Sequence, residues 1–435
     1  MTPTVPAAPA PVELAPQGLP RLMAGGPGPA RPMPLAEHLE RHGGFLLQGF
    51  GGEGAPTMLI DAVERAGLTG HGGAGFPTAR KMRAVAGRRR PVVVVNAAEG
   101  EPASHKDALL MRIRPHLVLD GAVLAADAVG AREVIVALHG GPSSAHAAVA
   151  ERAAAGLDPV SIQVVQVPKE YVASEESALV RFLSGAPALP TFTPPRPYER
   201  GVNGRSTLVQ NAETLAHLAL IARHGDQWFR SVGTPEAPGS LLVTVGGAVQ
   251  QPGVYELAFG TPLKTAFEAA GGFTEPVQAV LVGGYFGAWL PAETALRLLL
   301  TPADLKAAGA SIGAGVLLAL PASACGLAES RRVALWLANQ SAGQCGPCTL
   351  GLPAIAEDLA VLSRGGKTTN VRHRLDRRLS LVEGRGACHH PDGTARFVAS
   401  ALQTFAEDLA RHRRGNPCPP TRHPVLPLPD ESGGS

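Results

Sequence analysis

Residues 70–78 read Gly-His-Gly-Gly-Ala-Gly-Phe-Pro-Thr, a glycine run dense enough to suggest a binding loop. Glycines adopt positive φ easily and allow backbone N–H groups to approach a phosphate or a flat ring closely. A dinucleotide-binding fingerprint places such a run directly after a strand. Here the preceding residues, 58–68, have a helical pattern, so that fingerprint does not fit. A phosphate- or ring-binding loop and a tight structural turn both remain open.

A second group of polar residues follows the apolar run Pro91–Val95, which predicts a buried strand. Asn96, Glu99 and Glu101 come directly after it. In parallel sheets, ligands bind at the carboxyl ends of the strands, where two carboxylates and an amide can accept ribose hydroxyls or contact a ring. The alternative is a turn whose acids cap the next helix. The segments 174–177 (SEES) and 210–214 (QNAET) have the same acid-and-amide composition.

The cysteines suggest metal or redox chemistry. Cys345 and Cys348 enclose Gly-Pro, a spacing used in metal and dithiol sites. Five cysteines in 435 residues do not make a disulfide scaffold. Cys325 is interpreted as an ordinary buried or loop thiol.

Composition excludes several classes of protein. Hydrophobic residues make up 45% of the chain, and the formal net charge of +3 gives no argument for a nucleic-acid partner. The best apolar stretch, 117–138, is interrupted by four charged residues, so no membrane span is predicted. The first residues lack the pattern of a secretory signal. We therefore expect a cytoplasmic protein.

The elements that must position these residues follow from periodicity. Helices are expected at 57–66, 107–129 and 144–156, and strands at 91–95, 133–138 and 162–167. This alternation predicts an α/β domain with a largely parallel sheet. The predicted organisation is an unstructured arm at 1–45, this α/β domain at 46–235, a small mixed domain at 239–322, a helical domain at 327–414 and an unstructured tail at 415–435.

Four motifs carry a specific resemblance. GLTGHGGAGFPTARK, VVVNAAEGEPASHKD, SEESAL and GRSTLVQNAETLA occur in this order. The chain thereby resembles the NADH-binding flavoprotein (51 kDa-type) family of respiratory complex I and related NAD-dependent hydrogenase and formate dehydrogenase subunits, over about residues 50 to 410. The resemblance implies an atypical Rossmann-like FMN domain, a β-grasp (soluble-ligand-binding) domain and a C-terminal helical bundle.

The resemblance also implies the site residues. It places FMN at Gly70, Gly72, Lys81, Asn96, Glu99, Gln210, Asn211 and Thr214. It places NAD(H) near Phe76, Glu101, Glu176 and Arg205, and the cofactor-binding set further includes Gly73, Gly75 and Glu175. Four positions depart from the family pattern. This chain has His71 where the family often has Arg, Ala98 where it usually has Asp, Ser174 where it has Gly, and Gln210 where it has the first Asn of a pair.

Residues 341–351 resemble the family's iron–sulfur motif, but Ala342 stands where the first cysteine is expected. Cys345, Cys348 and Cys388 remain as metal ligands. The site is interpreted as a cluster completed by water, Cys418 or His389, or as a three-iron form. An empty site and zinc bound with His389 or His390 remain open. A thioredoxin-like dithiol is disfavoured, because the motif lies between two helices.

These features predict that electrons pass from NADH through FMN to a ferredoxin-like or other electron-transfer subunit, such as a quinone-reductase module. The chain is then cytoplasmic, or peripheral to a membrane complex. A non-redox relative acting as an assembly scaffold is the alternative. The 239–322 domain is expected to have a structural or docking role. The C-terminal arginines form either a solvated face or a docking surface for an acidic ferredoxin: Arg372, Arg374, Arg377, Arg378, Arg411, Arg413 and Arg414.

Overall fold

The computed structural model describes residues 19, 21–23, 31–43, 55–140, 143–365, 369–418 and 424–429. These residues belong to two compact units. The first comprises 1–100, 105–243 and 254–261, and the second comprises 101–104, 244–253 and 262–435.

The first unit alternates helices with parallel strands. Its helices are α1 (Leu35–His42), α2 (Ala55–Ala66), α3 (Thr78–Val85), α4 (Lys106–Ile113), α5 (Pro115–Val129), α6 (Ser144–Ala154), α7 (Glu176–Leu183) and α8 (Ala212–Arg230). Its sheet is formed by β1 (Val92–Ala97), β2 (Glu133–Leu138), β3 (Ser161–Gln166) and β4 (Thr207–Asn211), in the order β3-β2-β1-β4. All three pairings are parallel. The predicted α/β class with a parallel sheet is confirmed.

Strand β1 shows why the sheet is covered on both faces. Val93 and Val95 pack into one hydrophobic core, whereas Val92 and Val94 pack into another. Successive side chains of a strand point to opposite faces, so an unbroken valine run requires apolar cover on each side. The register pairs Asn96 of β1 with Asn211 of β4. The polar residues that follow the valines therefore meet at the carboxyl edge of the sheet.

The single helix expected at 107–129 is wrong, because α4 ends at Ile113 and α5 begins at Pro115. Proline disfavours helical backbone in the residue before it and is well tolerated at the first position of a helix. The Pro115 ring therefore accounts for the break at Arg114.

The prediction that 1–45 is an unstructured arm is wrong at two places. Residues 35–42 form α1, whose buried His38 places Nε2 2.8 Å from the Asp120 carboxylate. Arg21 and Leu22 are also buried, and their backbone N–H groups donate to the carboxylate of Glu256. The composition of these segments indicates an extended chain, but the buried carboxylates of Asp120 and Glu256 bind them to the first unit. Within 1–45 the structure describes residues 19, 21–23 and 31–43, and the rest of this range lies outside the described residues.

The second unit contains the remaining elements. They are β5 (Ser240–Gly247, from Thr244 onward), α9 (Leu263–Ala269), β7 (Val277–Val282), β8 (Ala288–Pro291), α10 (Ala292–Ala295), α11 (Pro302–Ala307), β9 (Val316–Pro321), α12 (Gly326–Asn339), α13 (Leu352–Arg364), α14 (Thr369–Val382), α15 (His390–Thr404) and α16 (Ala406–Arg413). β6 (Gly253–Ala258) lies almost wholly in the first unit. β9 pairs in parallel with β5 and antiparallel with β7, which pairs antiparallel with β8.

The prediction of an unstructured tail at 415–435 is wrong for residues 424–429. The backbone N–H groups of Val425 and Leu426 donate to the Glu329 carboxylate of α12 at 3.1 and 2.9 Å. The Tyr285 hydroxyl donates to the Pro427 carbonyl, and Leu426 is fully buried. These contacts attach a proline-rich segment to the helical region, while 419–423 and 430–435 lie outside the described residues.

Among the described residues, no helix combines the length and the apolar character that crossing a bilayer requires.

Candidate functional site

The glycine loop is a closed turn packed against the junction of β4 and α8. Its ends are joined by an antiparallel bridge between Thr69 and Pro77 and by the Gly70 N–H donating to the Phe76 carbonyl at 2.9 Å. Gly73 and Gly75 have positive φ, at 106° and 61°, which side chains disfavour. Of the two interpretations of this loop, turn or binding site, its position at the carboxyl edge of the sheet favours the binding site.

Two contacts fix the loop to α8. The His71 backbone N–H donates to the Thr214 hydroxyl at 2.9 Å. A Cβ added at Gly72 would lie 3.4 Å from the Asn211 Cβ, so the loop backbone approaches this asparagine closely. Gly70, Gly72, Asn211 and Thr214 are therefore brought together as expected. Phe76 remains 42% exposed on the same loop, with the Arg80 guanidinium 5.4 Å from its ring centroid, and this ring is available for stacking.

Lys81 on α3 joins the loop to α7. Its Nζ lies 2.8 Å from the Glu176 carboxylate and donates to the Val209 carbonyl of β4 at 3.2 Å. Both side chains are about one-third exposed. A partly solvated ammonium group beside glycine amides can complement an anionic ligand.

Two buried amide atoms at the carboxyl edge have no hydrogen-bond partner among the described residues. They are Oδ1 of Asn96 on β1 and Nε2 of Gln210 on β4. The other end of the Asn96 amide is fixed, because Nδ2 donates to the Ser174 carbonyl at 2.9 Å. Buried polar atoms are normally paired, so an acceptor and a donor left unpaired at a strand edge are typical of a ligand site.

Two of the predicted acids have structural roles. The Glu99 carboxylate accepts from the N–H groups of Asp107 and Ala108, which open α4, at 3.3 and 3.2 Å. The Glu175 carboxylate accepts from the N–H groups of Ser177 and Ala178 at 3.0 Å each, and so caps α7. These contacts support the capping interpretation for Glu99 and Glu175, since each carboxylate satisfies helix N–H groups that would otherwise lack partners.

A buried charged cluster that the sequence did not predict lies beside Asn211. Lys106 Nζ lies 2.9 Å from Asp107 and 2.8 Å from Glu213, and all three side chains are buried. Asn211 Nδ2 donates to Asp107 at 2.6 Å. Burial disfavours the Lys106 cation, but the carboxylates of Asp107, Glu213 and Glu99 outweigh it and hold the pKa of Lys106 above its ordinary value. Only six of the 39 basic residues are lysine. The rarity of lysine in this arginine-rich chain is the one sequence feature that could have singled out Lys106.

Arg205 is not placed with this group. It precedes β4, and its guanidinium pairs with Glu133, the first residue of β2, at 2.7 Å. Because the strands are parallel, these residues lie at the amino edge of the sheet, opposite Asn96 and Asn211. The resemblance placed Arg205 near NAD(H), whereas the structure places it at the amino edge of the sheet.

Glu101 belongs to the second unit. Its carboxylate accepts from the Tyr285 N–H at 2.8 Å and from the Ala103 N–H at 3.3 Å. A Cβ at Gly284 would lie 2.7 Å from the same carboxylate, so this turn needs glycine.

The departures from the family pattern have identifiable surroundings. His71 lies beside His217, with ring centroids 4.9 Å apart, and the Nε2 atoms of both face Glu213 Oε1 at 4.0 and 3.9 Å. Burial, and then the neighbouring His71 ring, lower the pKa of His217 well below its ordinary value. Ala98 is buried and packs in the core beside Val94, so no carboxylate stands there.

In the second unit the three expected metal ligands are neighbours. Cys348 lies in a π-helical turn, Pro347–Gly351, that leads into α13, and Cys345 lies just before this turn. Burial, together with the adjacent Cys345 and Cys388, raises the pKa of Cys348 to about 12. Among the described residues, two other trios have all ligand atoms within 4.8 Å of one another, and this trio is not one of them. A tetrahedral zinc site needs sulfurs closer than about 4 Å, given Zn–S bonds of about 2.3 Å, so at least one pair of these sulfurs would have to approach before zinc could bind all three.

The histidines suggested as substitute ligands differ. His389 is 98% exposed and pairs with Asp392 at 3.5 Å. His390 is buried, with Nε2 2.8 Å from the Leu337 carbonyl. Cys418 lies instead beside Cys325 and His412.

Comparison with known proteins agrees with this architecture. Family models match at 63–220 (Nuo51 FMN-binding domain), 242–284 (SLBB domain) and 328–412 (NADH-ubiquinone oxidoreductase-F iron-sulfur binding region). An NADH-quinone oxidoreductase subunit of Rhizobium meliloti is 31% identical over 88% of this chain and 96% of its own length. An NADH-quinone oxidoreductase subunit of Escherichia coli is 30% identical over 82% of this chain and 84% of its own.

Solved structures give the same result. A chain of NAD+-reducing [NiFe]-hydrogenase in the H2-reduced state is similar, with a TM-score of 0.78 and 29% identity over 92% of this chain and 69% of that chain. The air-oxidised state gives a TM-score of 0.79 and 30% identity, with the same coverage.

The fold and the matched regions define an electron-transfer oxidoreductase subunit with an FMN-binding domain, an SLBB domain and an iron–sulfur region. The chain belongs to the family of NADH-binding flavoprotein subunits of NADH-quinone oxidoreductase, which includes the Rhizobium meliloti and Escherichia coli proteins.

Proposed function

We propose that this chain binds FMN and NADH at the carboxyl edge of its first sheet and delivers electrons through a three-cysteine iron–sulfur cluster to a partner subunit. The observation that carries the proposal is that two buried side-chain atoms at the carboxyl edge of the sheet, Asn96 Oδ1 on β1 and Gln210 Nε2 on β4, lack partners within the described part of the chain. A flavin ring offers both N–H donors and carbonyl acceptors, the groups that an amide oxygen and an amide nitrogen need. The Asn96 and Gln210 side chains leave opposite faces of the sheet, so a ring that contacts both must lie across the ends of β1 and β4. The residues present therefore fit the group.

The roles of the chain's own residues follow from their positions. The amides of Gly70, Gly72 and Gly73, together with the Lys81 ammonium group, can hold the anionic phosphate or the electron-rich edge of the ring. Asn96 and Gln210 orient the ring by hydrogen bonds. Asn211 and Thr214 position the loop, since they contact Gly72 and His71.

FMN, when bound, accepts two electrons from NADH as hydride and returns them singly. No side-chain acid or base is needed for that chemistry. We place the nicotinamide nucleotide against the exposed Phe76 ring and near Glu176, whose carboxylate can accept ribose hydroxyls when Lys81 turns to the flavin. Glu101 belongs to the second unit, where its carboxylate accepts from Tyr285 and Ala103, and it is not part of this proposed site. Arg205 is left out of the site.

Cys345, Cys348 and Cys388 supply three thiolates for the cluster, and Ala342 supplies none. A cluster held by three cysteines, with water on the fourth iron or as a three-iron form, agrees with the match of residues 328–412 to an iron-sulfur binding region and with the missing fourth cysteine. His389 is exposed and within one residue of Cys388, and it is the protein alternative to water.

The partner is proposed to be an electron-transfer subunit, in keeping with relatives named as parts of oxidoreductases and hydrogenases. The basic helices give limited support for an acidic ferredoxin. Arg374 and Arg378 both bind the buried Asp358 carboxylate, at 3.0 and 2.5 Å. Arg372 pairs with Asp376, and Arg411 with Asp408. Four of the seven arginines are thus paired within the chain, which favours the solvated-face interpretation over a docking surface.

Substitution of Gln210 by leucine tests the observation that carries the proposal. Removing an unpaired buried donor should leave the unfolding temperature of the flavin-free protein unchanged or raise it, because a desolvated N–H₂ group has no partner to lose. The same change should weaken FMN binding about 10-fold, the effect of one hydrogen bond. Unchanged FMN affinity, measured by fluorescence titration, would remove Gln210 from the site. No FMN binding by the wild-type chain would support the scaffold alternative.

A further inference from the structure

Three side chains from two distant parts of the sequence meet at the ends of two helices in the second unit. They are Cys325, which precedes α12, His412, near the end of α16, and Cys418, which follows α16. The two sulfurs and one imidazole nitrogen all lie within 4.8 Å of one another. Cys325 and His412 are 3% and 2% exposed. None of the three belongs to the Cys345, Cys348 and Cys388 site.

The spacing suits one small metal ion. The Cys325 sulfur and His412 Nε2 are 3.8 Å apart. Zinc bonds of about 2.3 Å to sulfur and about 2.0–2.1 Å to nitrogen, at tetrahedral angles, place such ligands about 3.5 Å apart. For Cys325 and His412 the adjustment is a few tenths of an ångström, and for the Cys418 sulfur, within 4.8 Å of both, it is at most about 1 Å.

The imidazole already has the tautomer that coordination through Nε2 requires. His412 Nδ1 lies 2.7 Å from the Ser363 carbonyl, so Nδ1 carries the proton and Nε2 keeps its lone pair as an acceptor, 3.8 Å from the Cys325 sulfur. A metal-binding histidine typically donates its other ring N–H to a backbone carbonyl in this way, which fixes both the tautomer and the ring.

Two contacts must adapt. His412 Nε2 accepts from the Cys418 backbone N–H at 2.9 Å, and a metal would take over that lone pair. Cys418 lies outside helix and strand, so its backbone can turn while its sulfur stays near. The Arg411 guanidinium lies 2.6 Å from the Cys418 sulfur, and the donor can remain there because a charged N–H stabilises a thiolate.

We propose that Cys325, His412 and Cys418 bind one zinc(II) ion, separate from the iron–sulfur site, with water as the fourth ligand. Both thiols lose their protons on binding, and the ion takes the two thiolates and the neutral imidazole. It joins the beginning of α12 to the end of α16 and to the segment after it.

The test is zinc titration of the full-length, iron-loaded protein in competition with a chromophoric chelator, followed by zinc and iron analysis after gel filtration. We expect one zinc per chain in addition to the iron. Cys325→Ala and Cys418→Ser should each weaken zinc binding more than about 100-fold, beyond the loss caused by outer-shell changes, and leave the iron content unchanged. Cys345→Ser is the matched control: it should lose iron and keep zinc.

Zinc retained in both Cys325→Ala and Cys418→Ser, or lost in Cys345→Ser, would overturn the proposal. So would the absence of bound zinc, or a Cys325–Cys418 disulfide in peptides from the anaerobic protein. If Cys325→Ala does not fold, X-ray absorption of the zinc-loaded wild type decides. Two sulfurs at about 2.3 Å and one nitrogen at about 2.0–2.1 Å support the site, and a first shell without sulfur contradicts it.

Discussion

Lys81 and Glu176 lie on different helices, α3 and α7, and form an ion pair 2.8 Å long at the carboxyl edge of the parallel sheet. Lys81 also donates to the Val209 carbonyl of β4. The pair thus joins the element after the glycine loop to the element that opens at Glu176. We interpret Lys81 as the cation that a bound flavin recruits and Glu176 as the acid that then faces the nucleotide.

Replacing Lys81 with alanine should weaken FMN binding about 10- to 100-fold, since a hydrogen bond to a charged group contributes about 1.5–3 kcal/mol. Flavin fluorescence titration measures the change. Lys264 pairs with Glu268 on α9 in the second unit and is a matched control. Lys264→Ala should leave FMN affinity unchanged, and equal losses in the two variants would argue against a specific role for Lys81.

The glycine loop can be tested by a substitution that the protein itself tolerates. A Cβ at Gly72 meets only Asn211 atoms, at 3.4 and 4.0 Å, within ordinary contact. Gly72→Ala should therefore fold normally yet bind FMN at least about 10-fold more weakly, because a methyl group at the loop surface displaces the ligand.

Gly121→Ala provides the contrast for the glycine loop. The alanine Cβ would lie 1.9 Å from the Leu215 carbonyl oxygen. Gly121→Ala should therefore lower the unfolding temperature of the flavin-free protein, which Gly72→Ala should not. Normal FMN affinity in Gly72→Ala, with thermal unfolding like the wild type, would show that the ligand does not contact this loop.

The cluster ligand missing at Ala342 can be restored by substitution. Ala342→Cys should raise the iron content from about three toward four per chain, because the fourth thiolate completes a four-cysteine cluster. Iron and sulfide analysis with electron paramagnetic resonance checks it. Gln340→Cys, just upstream, is the positional control. An iron content near zero in both the wild type and Ala342→Cys would contradict a cluster at this site.

The buried histidines near α1 predict a pH effect on stability. Burial, and then the nearby His38 and Arg152, lower the pKa of His116 to about 4. The folded protein therefore keeps His116 neutral at pH values where the unfolded chain, with a pKa of about 6.5, takes up a proton. The free energy of unfolding is highest above pH 6.5 and falls as pH decreases from 6.5 toward 4. About 2 kcal/mol of unfolding free energy should be lost across this window.

His116→Gln should reduce the acid sensitivity of denaturant unfolding, and His373→Gln, at an exposed position on α14, should not. A wild-type pH profile in the His116→Gln protein would show that another group controls acid unfolding.

Much of the site could be predicted from the sequence because its parts are local. The valine run of β1 determines that Asn96 lies at a strand end, and the loop at 70–76 carries its own glycines. What failed depends on tertiary position. Arg205 lies five residues before Gln210, yet the length of β4 separates them onto opposite edges of the sheet. Glu99 and Glu175 could not be distinguished from ligand carboxylates, because the helix N–H groups that they accept from are visible only in the fold.

The cysteines show the same limit. Cys345 and Cys348 form a motif, whereas Cys325 and His412 are 87 residues apart and meet only because α12 and α16 pack in one unit. The unstructured ends were also predicted from composition alone. Single buried carboxylates, Glu256 and Glu329, hold the segments at 21–23 and 425–426 by backbone hydrogen bonds that composition does not reveal.

The central claim is that this chain carries electrons from NADH through FMN to iron. The most direct measurement is the visible absorption spectrum of the anaerobically purified protein before and after NADH, with flavin, iron and sulfide quantified on the same sample. We expect one FMN per chain, a flavin band bleached by NADH, and about three to four irons reduced with it. A protein that stays colourless after reconstitution with FMN, iron and sulfide would contradict this claim.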